Sequence, residues 1–183
     1  VDYLDPTSEW AKLHAGLMKA FPGQMISFHG FSKDNKKVLF LAYSDREPGT
    51  YYLFDRTTNK PALLFRSMDW IDTSKMAASR PIEFKNRNGE TLTGLYTAPL
   101  GKTGPQPMIV MAHGGPYGVK DEWGYDADVQ FLANRGYAVL QVNYRGSSGR
   151  GDAFERSTWR QWGTGIQDDI TDGVKWTIAQ QLA

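Results

Sequence analysis

The chain has 183 residues, of which 40% are hydrophobic, 22% charged and 13% aromatic, with a net charge of +1. That composition suits one or two folded domains and excludes a disordered chain; the near-neutral balance gives no reason to expect nucleic acid or an anionic membrane as a partner. With no cysteine, disulfides and thiolate metal sites are excluded, and no stretch is long and apolar enough for a membrane-spanning helix or reads as a signal peptide. A soluble protein is expected, cytoplasmic or periplasmic/secreted, with the compartment open.

Residues 6–22 read as a short helix whose stripe of Trp10, Leu13, Leu17 and Ala20 is a packing face. Residues 24–65 then read as four short strands, at 25–28, 38–43, 51–54 and 62–65, separated by polar turns. A spacing of about ten residues matches one up-and-down antiparallel sheet, the unit of a propeller blade, or equally a small meander packed on the second half of the chain. Residues 66–80 read as a linker, ending at Ser79-Arg80-Pro81.

The pattern then changes. Two strands at 82–85 and 91–96 flank Asn88-Gly89, a hairpin signal. After a Gly/Pro loop at 99–107, residues 109–112 form a continuous apolar strand of the buried type. A helix is predicted over 126–135 with Gly136 as its stop, a second buried strand over 137–143, a Gly-rich loop over 146–151, and a final helix from about Asp168. In that helix Ile170, Val174, Ile178 and Leu182 form an apolar row, and Asp168 and Asp169 suit its positive N-terminal end. Hairpin, strand, helix, strand, loop and helix in that order open an α/β sheet whose next element would be another strand.

The strongest chemical signal is Met108-Ile109-Val110-Met111-Ala112-His113-Gly114-Gly115-Pro116. A His-Gly-Gly turn at the C-terminal end of a buried strand lies where open α/β sheets place their chemistry. Its glycines let backbone N–H groups turn outward, as an oxyanion hole requires. Gly146-Ser147-Ser148-Gly149-Arg150-Gly151 is not a nucleophile elbow, because position 150 is Arg; it is neither a P-loop nor a dinucleotide turn. Its role is a flexible turn that brings Tyr144 and Arg145 near the site. Arg145 is a candidate ligand for a substrate carboxylate or carbonyl, set against the commoner role of structural ion-pair partner. His14, His29 and His113 show no metal-ligand spacing, and no cofactor is expected. The acidic group Asp121, Glu122, Asp126 and Asp128 is accounted for by a solvated helix N-terminus, and Trp159 and Trp162 by packing beneath the loop.

The second half resembles the prolyl oligopeptidase family of serine peptidases, in its dipeptidyl-peptidase and acylaminoacyl-peptidase-like branch. The carrying residues are His113-Gly114-Gly115-Pro116-Tyr117-Gly118, the run 143–151 from Asn143-Tyr144-Arg145 onward, Gln161-Trp162-Gly163, and Asp168-Asp169-Ile170-Thr171-Asp172-Gly173-Val174. The resemblance covers residues 80–183 well and 20–70 more weakly. It implies a fold class of α/β type: the N-terminal part of an α/β-hydrolase domain (76–183), truncated before the nucleophile. The end of a β-propeller (1–75) would precede it, its strands resembling the last blade. It further implies hydrolysis of short peptides through Ser, Asp and His, with Gly115 N–H as an oxyanion donor. His113, Gly114 and Pro116 would shape the turn, and Tyr117 and Arg145 would meet substrate. The second donor of the family follows the nucleophile.

In α/β-hydrolases the triad follows the order Ser, Asp, His, with Ser in a G-x-S-x-G elbow. No such elbow occurs here and no histidine follows His113. The expectation is therefore a segment of a peptidase, inactive alone, whose partners are a peptide substrate and the remainder of the parent polypeptide. An exposed sheet edge would favour homo-association. The alternatives are a segment of a carboxylesterase or lipase and a non-catalytic binding module.

Overall fold

A computed structural model describes residues 2–183. They divide into two compact units, one ending at Ser74 and one beginning at Lys75.

The first unit is a helix on a four-stranded sheet. Helix α1 (Glu9–Ala20) is N-capped by Ser8, whose hydroxyl accepts from the Ala11 N–H, so one of the free donors of the first turn is satisfied. Strands β1 (Met25–Phe31), β2 (Lys37–Tyr43), β3 (Thr50–Asp55) and β4 (Lys60–Arg66) follow in antiparallel order β1-β2-β3-β4. Alternation along β2 and β3 sends Val38, Phe40, Ala42 and Phe54 to one face, where Leu17 of α1 joins them in the core. Every residue of β4 is exposed, so its run Ala62–Phe65 is apolar without being buried.

The second unit is a mixed sheet with helices. Strands β5 (Ser79–Lys85), β6 (Thr91–Thr97), β7 (Met108–Met111) and β8 (Ala138–Asn143) form a sheet in the order β5-β6-β8-β7. Only β7 and β8 run parallel, and α2 (Ala127–Asn134) connects them, as a parallel pair requires. Asp126 caps α2 by accepting from the N–H groups of Asp128 and Val129, and Gly136 beyond its end takes φ +92°. The β5–β6 turn is longer than the two-residue hairpin its Asn-Gly suggests. It runs from Asn86 to Glu90, because the Asn86 carboxamide oxygen accepts from the N–H groups of both Asn88 and Glu90.

Two helices follow β8: α3 (Asp152–Arg156), which the sequence pattern did not indicate, and α4 (Gly165–Ala179). Helix α4 starts three residues earlier than the sequence pattern suggests, and the apolar row is the margin of its buried face: Ile170, Val174 and Leu182 pack against the core and are partly buried. Gly165, Ile166, Asp169, Asp172, Gly173 and Thr177 are buried, while Ile178 is exposed. The helix packs so closely on the sheet that a Cβ on Gly173 would meet Val142 Cγ2 at 2.9 Å and Phe84 Cζ at 3.1 Å. The most deeply buried positions of the helix include two aspartates, Asp169 and Asp172, which are paired with arginines rather than hydrated.

Candidate active site

Because β7 and β8 are parallel, the segments leaving their C-terminal ends emerge on the same edge of the sheet. One carries His113 and the other begins at Tyr144, and the structure brings them together. Their rings stack with centroids 4.3 Å apart. The Tyr144 hydroxyl donates to the His113 carbonyl at 2.7 Å, and His113 Nε2 lies 2.8 Å from Ser147 Oγ. His113 Nδ1 lies 2.9 Å from the Gly114 carbonyl and 3.1 Å from the Tyr144 hydroxyl. One tautomer satisfies the whole set: Nδ1–H donates to Gly114, and Nε2 accepts from the Ser147 hydroxyl. Burial pushes the Tyr144 phenol above its ordinary value, and the charge of Asp121 adds to this, so it stays an O–H donor at neutral pH.

The turn itself is Gly114-Gly115, both exposed. Gly115 takes φ +122°, in the region where side chains are strained, and a Cβ there would stand 3.0 Å from Tyr117 N. The Gly115–Pro116 peptide is cis. Among the described residues, neither Gly114 N–H nor Gly115 N–H donates to any acceptor.

Tyr117 is half-buried and held at its tip. Its hydroxyl donates to the Thr158 carbonyl at 2.7 Å and accepts from Trp162 Nε1 at 2.8 Å. Trp159 and Trp162 do not pack beneath the loop as their pattern suggests: they are 52% and 64% exposed. Arg145, the candidate substrate ligand, is turned inward, with its side chain only 11% exposed. Its guanidinium is paired with Asp169 and Glu90, so it performs the structural role weighed against the substrate role.

Three residues of this region carried no chemical role in the sequence pattern: Ser147, Asp121 and Asp169. Asp121 is not a solvated helix-end residue. Its N–H donates to Asn143 Oδ1 at 2.8 Å, and Asn143 Nδ2 donates back to its carbonyl at 3.0 Å. Gln141 Nε2 donates to Oδ1 at 3.0 Å, while Oδ2 has no partner among the described residues. Burial accordingly pushes the Asp121 carboxyl up. The available signal was Gln141 and Asn143, two amides at alternate positions of an otherwise apolar strand and therefore on one face. A cavity of about 420 Å³ is lined by Asp121, Asn143 and Ser147 among others; Gly114 and Gly115 are not part of its lining.

Comparison with known proteins agrees with this architecture. The sequence profile of the prolyl oligopeptidase family matches residues 123–183. Dipeptidyl aminopeptidase BIII of Pseudoxanthomonas mexicana is 36% identical over 153 residues, covering 79% of this chain and 22% of that protein. Dipeptidyl peptidase family member 6 of Caenorhabditis elegans is 28% identical over 189 residues, covering 91% and 25%. Among solved structures, the acylaminoacyl peptidase of Pyrococcus horikoshii superposes with TM-score 0.67 at 25% identity, covering 88% of this chain and 26% of that one. A puromycin hydrolase superposes with TM-score 0.70 at 22% identity, covering 88% and 25%, a likeness of fold. A mixed α/β chain with a His-Gly-Gly turn at a parallel strand end thus has its relatives among peptidases. The chain belongs to the prolyl oligopeptidase family, and spans about a quarter of the length of the curated relatives it matches.

Proposed function

We propose that this chain is the part of a serine peptidase that supplies the oxyanion-hole turn, within an enzyme hydrolysing short peptides by acyl transfer. The observation that carries the proposal is Gly115, exposed at φ +122° just past β7, with an N–H that no acceptor among the described residues occupies. When a nucleophile adds to a peptide carbonyl, the oxygen becomes an oxyanion. A fixed N–H at that position stabilises it by about 2.7–4 kcal/mol in the transition state. His113 anchors the turn, Gly114 and Pro116 shape it, and Tyr117 stands beside it as a contact for substrate.

The nucleophile, the acid and the general base then lie outside these 183 residues, and so does the second oxyanion donor. The chain's own Ser–His contact is not a substitute. Ser147 and His113 meet at hydrogen-bond distance, as a nucleophile and base do. Ser147, however, is 1% exposed, and a substrate carbonyl cannot reach its oxygen without displacing the loop. In this reading the first unit is the C-terminal portion of a propeller and its strands are the last blade, supported by the antiparallel order β1-β2-β3-β4. Residues 75–183 are the opening of the hydrolase domain, supported by the order β5-β6-β8-β7. The peptide substrate and the rest of the peptidase are the partners.

The test is covalent. The 183-residue chain is expected to take up no fluorophosphonate at any serine, and stoichiometric labelling of Ser147 would overturn the assignment. In a longer polypeptide that carries the nucleophile, Gly115→Ala is expected to lower kcat by about 10²–10³ with KM little changed.

A further inference from the structure

We propose that Asp169 is a positioning residue for the oxyanion turn, acting from helix α4 through Arg145. The inference rests on the oxyanion role of Gly115 and adds the element that holds that residue in place.

Asp169 has 0% exposure, and its carboxylate accepts four hydrogen bonds. Arg145 supplies three: its main-chain N–H at 2.9 Å and Nε at 2.8 Å to Oδ2, and Nη2 at 3.0 Å to Oδ1. Asn86 Nδ2 supplies the fourth, to Oδ1 at 3.0 Å. A buried ion pair is a poor source of net stability, because desolvating two charges offsets most of their attraction. What it does give is location: a planar guanidinium and a main-chain N–H bound to one carboxylate fix both the side chain and the backbone of Arg145.

That backbone is the middle of the segment that grips His113. Tyr144, one residue before, donates to the His113 carbonyl, and Ser147, two residues after, meets its Nε2. The Arg145 carbonyl is itself held by the Thr158 hydroxyl at 2.7 Å. Gly115 follows His113 by two residues, so the turn inherits its position from α4 through hydrogen bonds joined by short stretches of main chain. Asp172, one turn further along the same buried face, makes its pair with Arg87 in the β5–β6 turn. It has no bond to residues 144–147, which makes it the matched control.

The experiment reads backbone order in the full chain by NMR relaxation, together with the imidazole nitrogen spectrum of His113. In the unsubstituted chain, the Gly115 N–H order parameter is expected near about 0.85, with His113 in a single Nδ1–H tautomer. Asp169→Asn should lower the order parameters of residues 113–118 and 144–148 below about 0.6 and average the His113 tautomers. Asp172→Asn should leave both unchanged. Should Asp169→Asn fail to fold, Arg145→Lys keeps the charge, loses the two-pronged contact, and should give the same local loss. Unchanged order at Gly115 in the folded variant would overturn the proposal, and so would a loss spread evenly over the second unit. Order is read without catalysis. If Gly115→Ala leaves hydrolysis intact, the reading of the turn fails and the Asp169 result stands; if the order parameters do not move, the role of Asp169 fails whatever Gly115 does.

Discussion

His113 Nε2 and Ser147 Oγ stand 2.8 Å apart across the gap between the segments that leave β7 and β8. The contact joins two strand ends that the sequence separates by 34 positions. Ser147→Ala removes the hydroxyl from which the imidazole nitrogen accepts. The expected loss is about 1 kcal/mol in urea-induced unfolding of the second unit. Fluorophosphonate uptake should stay at zero in both forms, which separates an anchoring contact from a nucleophile and base.

Close approach of backbone to backbone leaves a second mark. A Cβ on Gly94 of β6 would overlap the main-chain carbonyl oxygen of Gln141 in β8, a contact no rotamer relieves. Gly94→Ala should therefore lower the stability of the second unit by more than about 3 kcal/mol. At Gly173 the obstructing atoms are side-chain ends that can shift, and Gly173→Ala should lower it by about 1–3 kcal/mol. Equal urea midpoints for the two variants would contradict this ranking.

Two aspartates of the second unit should respond to pH with opposite sign. The Arg87 hydrogen bonds and charge hold the Asp172 carboxyl below its ordinary value of 3.8. A lowered folded-state value means a contribution fully present above the unfolded value and lost as pH falls through the folded one. Burial raises Asp121 instead. There the folded state binds the proton more tightly, so stability declines as pH rises from the unfolded value through the folded one, and the penalty persists above it. Asp172→Asn should thus lower the urea midpoint at neutral pH, the difference closing as the solution is acidified below the ordinary carboxylate range. Asp121→Asn should raise the neutral-pH midpoint, since an amide is cheaper to bury than a charge.

Strand β7 pairs only with β8 and presents its other side unpaired among the described residues. Unpaired N–H and C=O groups along an edge are a template for another strand. Light scattering of the 183-residue chain should show a mean mass that rises with concentration. A constant monomer mass across the micromolar range would count against association through this edge.

Much of the framework was legible in the sequence because it depends on local periodicity. The alternation of Val38, Phe40 and Ala42 along β2 shows one buried face. The capping side chain of Asp126 and the stop at Gly136 bracket α2 within a residue or two. His113-Gly114-Gly115 after an apolar run announces a glycine turn at a strand end. Helix α4 was legible as a helix and only in part as a surface: Ile170 and Val174 pack on the core as their spacing suggests. Ile178 belongs to an apolar row and is exposed, while Asp169 is acidic and wholly buried. A hydropathy pattern counts a carboxylate as hydrated, and only the partner that replaces its water reverses that.

By itself the sequence determined the strands, every helix but α3, the His-Gly-Gly turn after β7, and the family to which the chain belongs, because each is written in neighbouring residues. Only the tertiary structure decided that Arg145 faces inward to Asp169 and that Ser147 anchors His113. The same holds for Asp121, which sits against Gln141 and Asn143 rather than in water. Each of these depends on a partner 20 to 34 positions away. The energy of a polar side chain is set by whether such a partner or water receives its hydrogen bonds.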